Sequence, residues 1–314
     1  MRKLCSLLYS MNLRPDGEPL LTVANHASTL DDPALFAAMM PWDVTLRPSR
    51  MRWTICSQEI CFETAAIAAF FGCGKVLPIH RGGGLDQKPL LDFARRLAAG
   101  DWCHVFPEGK TVQTGTLGGR LDEEKVAKVG RLKWGVGKMI AHAPRLPTVV
   151  PFFHTGMQNV VAEDPVSKDV LPTQPRFQKK LTIRVGDPVP VLDLIEAHEK
   201  KYGPLWKYGS NATRSSNTTS STTVGTKPDQ WVEGCEVDEW KETWESSTEQ
   251  RSLYSAIMRR IEAALLALES EARSELGEDY PERPHLVNSG EYLELLARAG
   301  QAGGGDGGTG ISPK

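Results

Sequence analysis

The sequence predicts an α/β fold. Strand and helix signals alternate from about Leu20 to Ile195, the pattern of chains that pack helices on a sheet. Several apolar runs rich in strand formers stop at polar or Gly-rich loops, and helical signals begin just beyond them. With 314 residues the chain can bury one large core or two small ones.

The elements read in order as follows. "PLLTVAN" is a strand bounded by Pro19 and Asn25. "PALFAAMM" is a helix, with Asp32 placed to cap it and Pro33 suited to its first turn. "VLPIHR", Val76 to Arg81, is a strand that ends in a glycine run, and "LLDFARRLAAG" is a helix stopped by Gly100. "WCHVF" is a strand closed by the loop "FPEGK". "RLKWGVGKMIAHA" is a helix, and "TVVPFF" and "LTIRVG" complete the strands. Tyr208 to Pro228 is Ser/Thr-rich and cannot bury enough apolar area to offset chain entropy, so disorder is expected there. The acidic piece with Trp231, Trp240 and Trp244 could dock on a surface or run as loop. A helix returns in "RSLYSAIMRRIEAALLALESEARSEL", and its stripe of Leu253, Ile257, Ile261, Leu265 and Leu268 is expected to face the core.

Composition removes several function classes. Lys plus Arg number 37 and Asp plus Glu 39, a formal net charge of -2, so the overall balance offers no sign of the basic face of a nucleic-acid partner. The six cysteines (Cys5, Cys56, Cys61, Cys73, Cys103, Cys235) form no CxxC pair and, with scattered histidines, give no zinc spacing. Reduced, mostly buried thiols and no metal are expected, and the sequons at Asn211 and Asn217 then carry no meaning. Thr64 to Gly74 is too short to span a membrane, and Leu146 to Ala162 holds two prolines and polar groups. "MRKLCSLLYSMNLR" is basic and partly apolar, but too short and interrupted to read as a signal peptide.

Three strand-end loops carry the residues suited to chemistry, at the edge where open α/β sheets place ligands. In "NHASTLDD", His26 and Asp31 lie five positions apart across a strand–loop–helix turn. A carboxylate beside an imidazole fixes its tautomer and stabilises its protonated form, which makes a general base without a protein nucleophile. In "HRGGG", Arg81 precedes Gly82, Gly83 and Gly84. In "FPEGK", Glu108, Gly109 and Lys110 close the strand. Glycine lets a backbone approach a ligand, and Arg or Lys beside it suits a phosphate. No GxSxG elbow is present, and "GVG" in "KWGVGKM" lacks the context of a dinucleotide fingerprint.

The order His26/Asp31, Arg81, "FPEG" and Pro151 in "VVPFF" resembles the glycerolipid (PlsC-type) acyltransferase family. "NHASTLDDP", "MRWTICSQEICF", "GKVLPIHRGGGLDQK", "GDWCHVFPEGK", "RLKWGVGKMIA" and "PFFHTGM" place the likeness, over about Leu21 to Gly186, with its mitochondrial phospholipid–lysophospholipid transacylases. Lys110 stands where most of the family carries Thr-Arg. The resemblance implies one domain with a central mixed sheet flanked by helices, over residues 1–276. A disordered insertion at about 205–250 would interrupt it, and 277–314 would be a flexible tail. It implies His26 as general base, Asp31 as its orienting partner, and Arg81, Glu108, Gly109 and Lys110 on the phosphate side of the substrate. Glu108 would hold Arg81 or the loop rather than bind phosphate itself.

The reaction so implied is acyl exchange between phospholipid and lysophospholipid, with cardiolipin and phosphatidylcholine as substrates and no cofactor. An acyl-CoA-dependent lysophospholipid acyltransferase shares the same motifs. The resemblance also implies peripheral attachment to mitochondrial membranes. The family's apolar anchoring segment before the HxxxxD loop is not seen in the short N-terminal stretch, so attachment is expected through interfacial pieces. "TLRPSRMRW", with Arg47, Arg50, Arg52 and Trp53, is one candidate for anionic headgroups, against a solvated basic loop. "AIAAFFG" is another, against core.

Overall fold

A computed structural model describes residues 15, 17–40, 45–85, 87–112, 117–118, 130–160, 181–208, 245–277 and 280. The expectations for the Ser/Thr-rich segment, Trp231, Trp240 and Trp244, Cys5, Cys235 and residues 281–314 lie outside the described residues. The strands are β1 (Leu20–Ala24), β2 (Thr54–Ser57), β3 (Val76–Ile79), β4 (Trp102–Val105), β5 (Thr148–Thr155) and β6 (Thr182–Val185). The helices are α1 (Asp31–Met39), α2 (Gln58–Cys61), α3 (Ala65–Cys73), α4 (Lys88–Ala98), α5 (Gly135–Ala141), α6 (Leu192–Tyr202) and α7 (Thr248–Leu276).

The architecture is α/β with a central mixed sheet. Four strands run in the order β4-β1-β5-β6, and β2 pairs with β3. β1 is parallel to β4 and β5, β2 to β3, and only β6 among these pairs is antiparallel. Trp53 joins the two ladders. Its N–H donates to the Trp102 carbonyl at 2.8 Å and its carbonyl accepts from His104 N–H at 2.8 Å, a parallel bridge. β1 to β5 therefore end on one edge, and that edge receives His26, Arg81 and "FPEGK".

Alternation along the strands assigns the two faces of the sheet. Leu20, Ala24, Trp102, Val150 and Phe152 meet Leu35, Phe36 and Met39 of α1. Leu21, Val23, Cys103, Val105, Val149 and Phe153 share the larger core with α4, α5 and α7. β1 is buried along its whole length, as expected of a strand covered on both faces. The α7 stripe of Leu253, Ile257, Ile261, Leu265 and Leu268 is buried. A capping box starts that helix: Gln250 N–H donates to Ser247 Oγ, and Ser247 N–H to Gln250 Oε1. The "GVG" run proves to be a helix crossing, since a Cβ on Gly137 would overlap the backbone of Tyr254.

Three expectations are corrected. Asp32 does not cap α1. The N-cap is Leu30, with no side-chain bond, and the Asp32 carboxylate is taken by Arg52. Cys56 and Cys61 form a disulfide instead of staying reduced, whereas Cys73 and Cys103 are free thiols. In "TLRPSRMRW", Arg52 is buried on Asp32 and Trp53 lies under the Arg96 guanidinium at 4.2 Å, so neither waits for a headgroup; Arg47 is exposed. The core alternative for "AIAAFFG" is also set aside. No residue of α3 is buried, and Phe70 is 65% exposed. No described helix is long and apolar enough to cross a membrane.

A buried histidine links α5 to α7. His142 Nδ1–H donates to the Trp206 carbonyl at 2.7 Å, and Tyr254 O–H donates to Nε2 at 2.5 Å. Burial pushes its pKa down to about 3. An unfolded histidine takes up its proton near pH 6.5. Between these values the unfolded state binds the extra proton, so stability falls as pH drops through the window. Urea melts from pH 7 to pH 4 should show this decline, and a His142→Phe variant should show a shallower one. Equal slopes would remove His142 as its source.

Candidate active site

The site begins where β1 runs out. Asn25 and His26 follow the strand, and Asp31 opens α1. The turn brings His26 Nδ1 within 2.9 Å of Asp31 Oδ2. A carboxylate at this distance accepts, so Nδ1 carries the proton and Nε2 is left with a lone pair. Asp31 is 0% exposed. The same oxygen accepts the backbone N–H groups of Ala27 at 2.6 Å and Ser28 at 2.9 Å. Such donors stabilise the ionised carboxylate and fix its orientation. The His26 ring stacks on Phe106 with centroids 4.3 Å apart, while its side chain keeps 20% exposure. The imidazole is thus held from behind and open at one edge.

Glu108 holds the loops together. Its Oε1 accepts His26 N–H at 2.8 Å and its Oε2 accepts Gly118 N–H at 2.6 Å. Glu108 thus bonds backbone N–H groups of two loops. Val112 N–H donates to the His26 carbonyl at 2.7 Å, which ties the residues after "FPEGK" back to the first loop. Two buried carboxylates of α7 grip the same region. Glu269 Oε2 accepts Leu117 N–H at 3.1 Å, and Glu262 Oε2 accepts Arg131 N–H at 2.9 Å.

The cations sit on the rim. Arg81 is exposed at the end of β3, in a loop closed by Gln87, whose amide bonds His80 N–H, the His80 carbonyl and the Gly84 carbonyl. Gly109 has φ +71°, a conformation that favours glycine, and Lys110 beside it is exposed. His26, Asp31 and Glu108 therefore form one bonded cluster, with Arg81 and Lys110 exposed on loops of the same sheet edge. Sequence reasoning missed Lys133, whose stem lies against Gly109, and it missed Gln87, Glu262 and Glu269. It also missed Arg52, which bonds Asp32 through Nε at 3.1 Å and through Nη2.

His26 on the buried Asp31 lies at the C-terminal edge of this sheet, beside "FPEG". Residues 8–155 match the acyltransferase family. The chain is similar to tafazzin of Drosophila melanogaster, 34% identical over 198 residues, which cover 63% of this chain and 47% of that protein. Tafazzin of Saccharomyces cerevisiae is 28% identical over 220 residues, covering 59% and 55%. The N-acylphosphatidylethanolamine synthase of Arabidopsis thaliana is 36% identical over 184 residues, covering 59% and 60%. The chain thus spans about half the length of the relatives it matches.

The Arg52–Asp32 pair gives a test of the site's foundation. Both side chains are largely buried. Removing one partner of such a pair typically costs about 3–5 kcal/mol, because the other charge is left uncompensated. Arg52→Met should show that loss in denaturant unfolding, and adding Asp32→Asn should recover much of it. No loss in the single variant would show that the pair is not needed.

Proposed function

We propose that the chain moves an acyl group from a phospholipid to a lysophospholipid without coenzyme A. The observation that carries this reading is the 2.9 Å bond between His26 Nδ1 and the buried Asp31 carboxylate. His26 Nε2 takes the proton from the lysolipid hydroxyl as its oxygen attacks the donor's acyl carbonyl. Asp31 stabilises the imidazolium so formed. The tetrahedral intermediate collapses, the donor's glycerol oxygen leaves, and the imidazolium returns the proton to it. One ester breaks and a similar one forms, so no thioester is needed to drive the exchange. Arg81, Gly109 and Lys110 receive the acceptor's phosphate, and Glu108 keeps their loop in register with His26. Cardiolipin and phosphatidylcholine are the proposed substrates, and a mitochondrial membrane the proposed location.

The relative named as an N-acylphosphatidylethanolamine synthase favours one second reading, in which the acceptor is the amine of phosphatidylethanolamine. The same base would take the proton from nitrogen. Product analysis separates the two, because an amide survives mild alkali and an ester does not.

The direct test uses purified protein, labelled phosphatidylcholine and lysocardiolipin in mixed liposomes, with no coenzyme A. Label is expected in cardiolipin, and His26→Ala should reduce the rate about 100- to 10,000-fold with the fold intact. Transfer that needs acyl-CoA would replace this reading with the thioester-dependent one. For membrane attachment, the exposed Ile67 and Phe70 of α3 are the apolar residues proposed to enter the lipid interface. An Ile67→Ser/Phe70→Ser variant should float less with cardiolipin-containing vesicles while still turning over a dispersed short-chain lysolipid. Unchanged flotation would remove α3 from that role.

A further inference from the structure

His154, at the end of β5, is fully buried and has no part in the proton transfers above. Its side chain nevertheless reaches the backbone that carries His26. Nε2 lies 2.8 Å from the Asn25 carbonyl oxygen. A carbonyl only accepts, so Nε2 bears the proton. The same Nε2 is 3.5 Å from Asp31 Oδ2, the oxygen that holds His26. Nδ1 is buried without a partner. A second N–H there would be buried and unsatisfied, so the neutral Nε2–H tautomer is the one that fits. Burial likewise holds the His154 pKa below the usual histidine range.

The consequence lies in one peptide unit. The Asn25 carbonyl and the His26 N–H belong to the same planar group. His154 Nε2–H holds the oxygen at 2.8 Å, and Glu108 Oε1 holds the hydrogen at 2.8 Å. One residue stands at the end of β5 and the other just past β4, the two strands that flank β1. Rotation of that peptide would break both bonds and swing the His26 ring away from Asp31. The backbone of His154 is fixed separately by the Asn25 side chain, which donates Nδ2–H to its carbonyl and accepts its N–H, each at 2.9 Å. These two bonds do not involve the imidazole, so they survive replacement of the ring.

We propose that His154 is a positioning residue that, with Glu108, clamps the Asn25–His26 peptide and so sets the catalytic histidine against Asp31. The inference rests on His26 being the base, but the clamp itself has a readout that does not. His154→Phe fills the space and removes the N–H. His154→Gln keeps an amide N–H at a similar reach.

Two measurements test it together. The first is acyl exchange. His154→Phe should lower kcat about 10- to 100-fold, the scale of a misplaced catalytic group, with KM for the lysolipid and the thermal midpoint little changed. His154→Gln should recover most of kcat. Glu108→Gln combined with His154→Phe should lose less than the product of the two single losses, because both act on one peptide. The second is hydrogen exchange at the His26 amide, which is expected to be about 10-fold faster in His154→Phe and restored in His154→Gln, the amide being protected only while the clamp is closed. Wild-type kcat and wild-type amide protection in His154→Phe would overturn the clamp. Equal losses in the Phe and Gln variants would overturn it as well, leaving only a packing role. If the wild-type protein shows no exchange with any donor, the function reading fails. The amide measurement then still decides the clamp.

Discussion

A carboxylate taken out of water must be given donors or it will not stay charged. Asp31 is given them through one oxygen: the N–H groups of Ala27 and Ser28 turn inward to Oδ2, and His26 Nδ1–H joins them, while Oδ1 is buried without a partner. The turn cannot open without stranding the charge. The histidine cannot leave without losing the strongest of its contacts, a bond to an ionised group. Solvation of the aspartate and orientation of the base are therefore one problem with one solution, and the surrounding structure keeps that solution in place.

The sheet supplies the frame. Parallel pairing puts the ends of β1, β4 and β5 side by side, so residues distant in sequence, Asn25, Glu108 and His154, converge within bonding distance. Buried carboxylates then hold loop to loop through backbone N–H groups. Glu108 ties His26 to Gly118, and Glu262 and Glu269 tie Arg131 and Leu117 to α7. The acyltransferase match ends at residue 155, yet α7, far beyond it, contacts the segment that Glu108 organises. Buried networks of this kind are costly when incomplete and rigid when complete. That suits a site which must hold His26 still against Asp31.

How much of this was legible in the sequence depended on whether the cue was local. Strand and helix alternation was enough for β1, β3, β4, β5, β6, α1, α4, α5 and α7, because each is an apolar or amphipathic run with its own stop signal. β2, α2, α3 and α6 did not stand out. "TICS" is only four residues, and α3 is apolar on all sides, so it has no period to read. Asp32 looked like a cap because capping is a local rule. Its partner Arg52 lies 20 residues away and is reached through tertiary packing. The cluster residues His26, Asp31 and Glu108 could be named from motifs, but the bonds to Gly118, Asn25 and His154 depend on strand order, which no single stretch encodes. The Cys56–Cys61 bond escaped for the same reason, since pairing is a statement about distance and not about spacing.

The adjacent pair Asp31 and Asp32 shows why distance matters for the chemistry. Both are acidic, both open α1, and both leave water. Asp32 is met by a guanidinium, although burial still raises its pKa above the usual carboxylate range. Asp31 is met by neutral N–H donors and His26. Had Arg52 reached Asp31 instead, that cation would have neutralised the carboxylate and removed its pull on the imidazole. Had Asp32 been left without Arg52, a second uncompensated acid would have stood beside the first. Placing the cation on one aspartate keeps a single effective negative charge behind the base. Asp31 is then left to bond His26 and the N–H groups of its own turn.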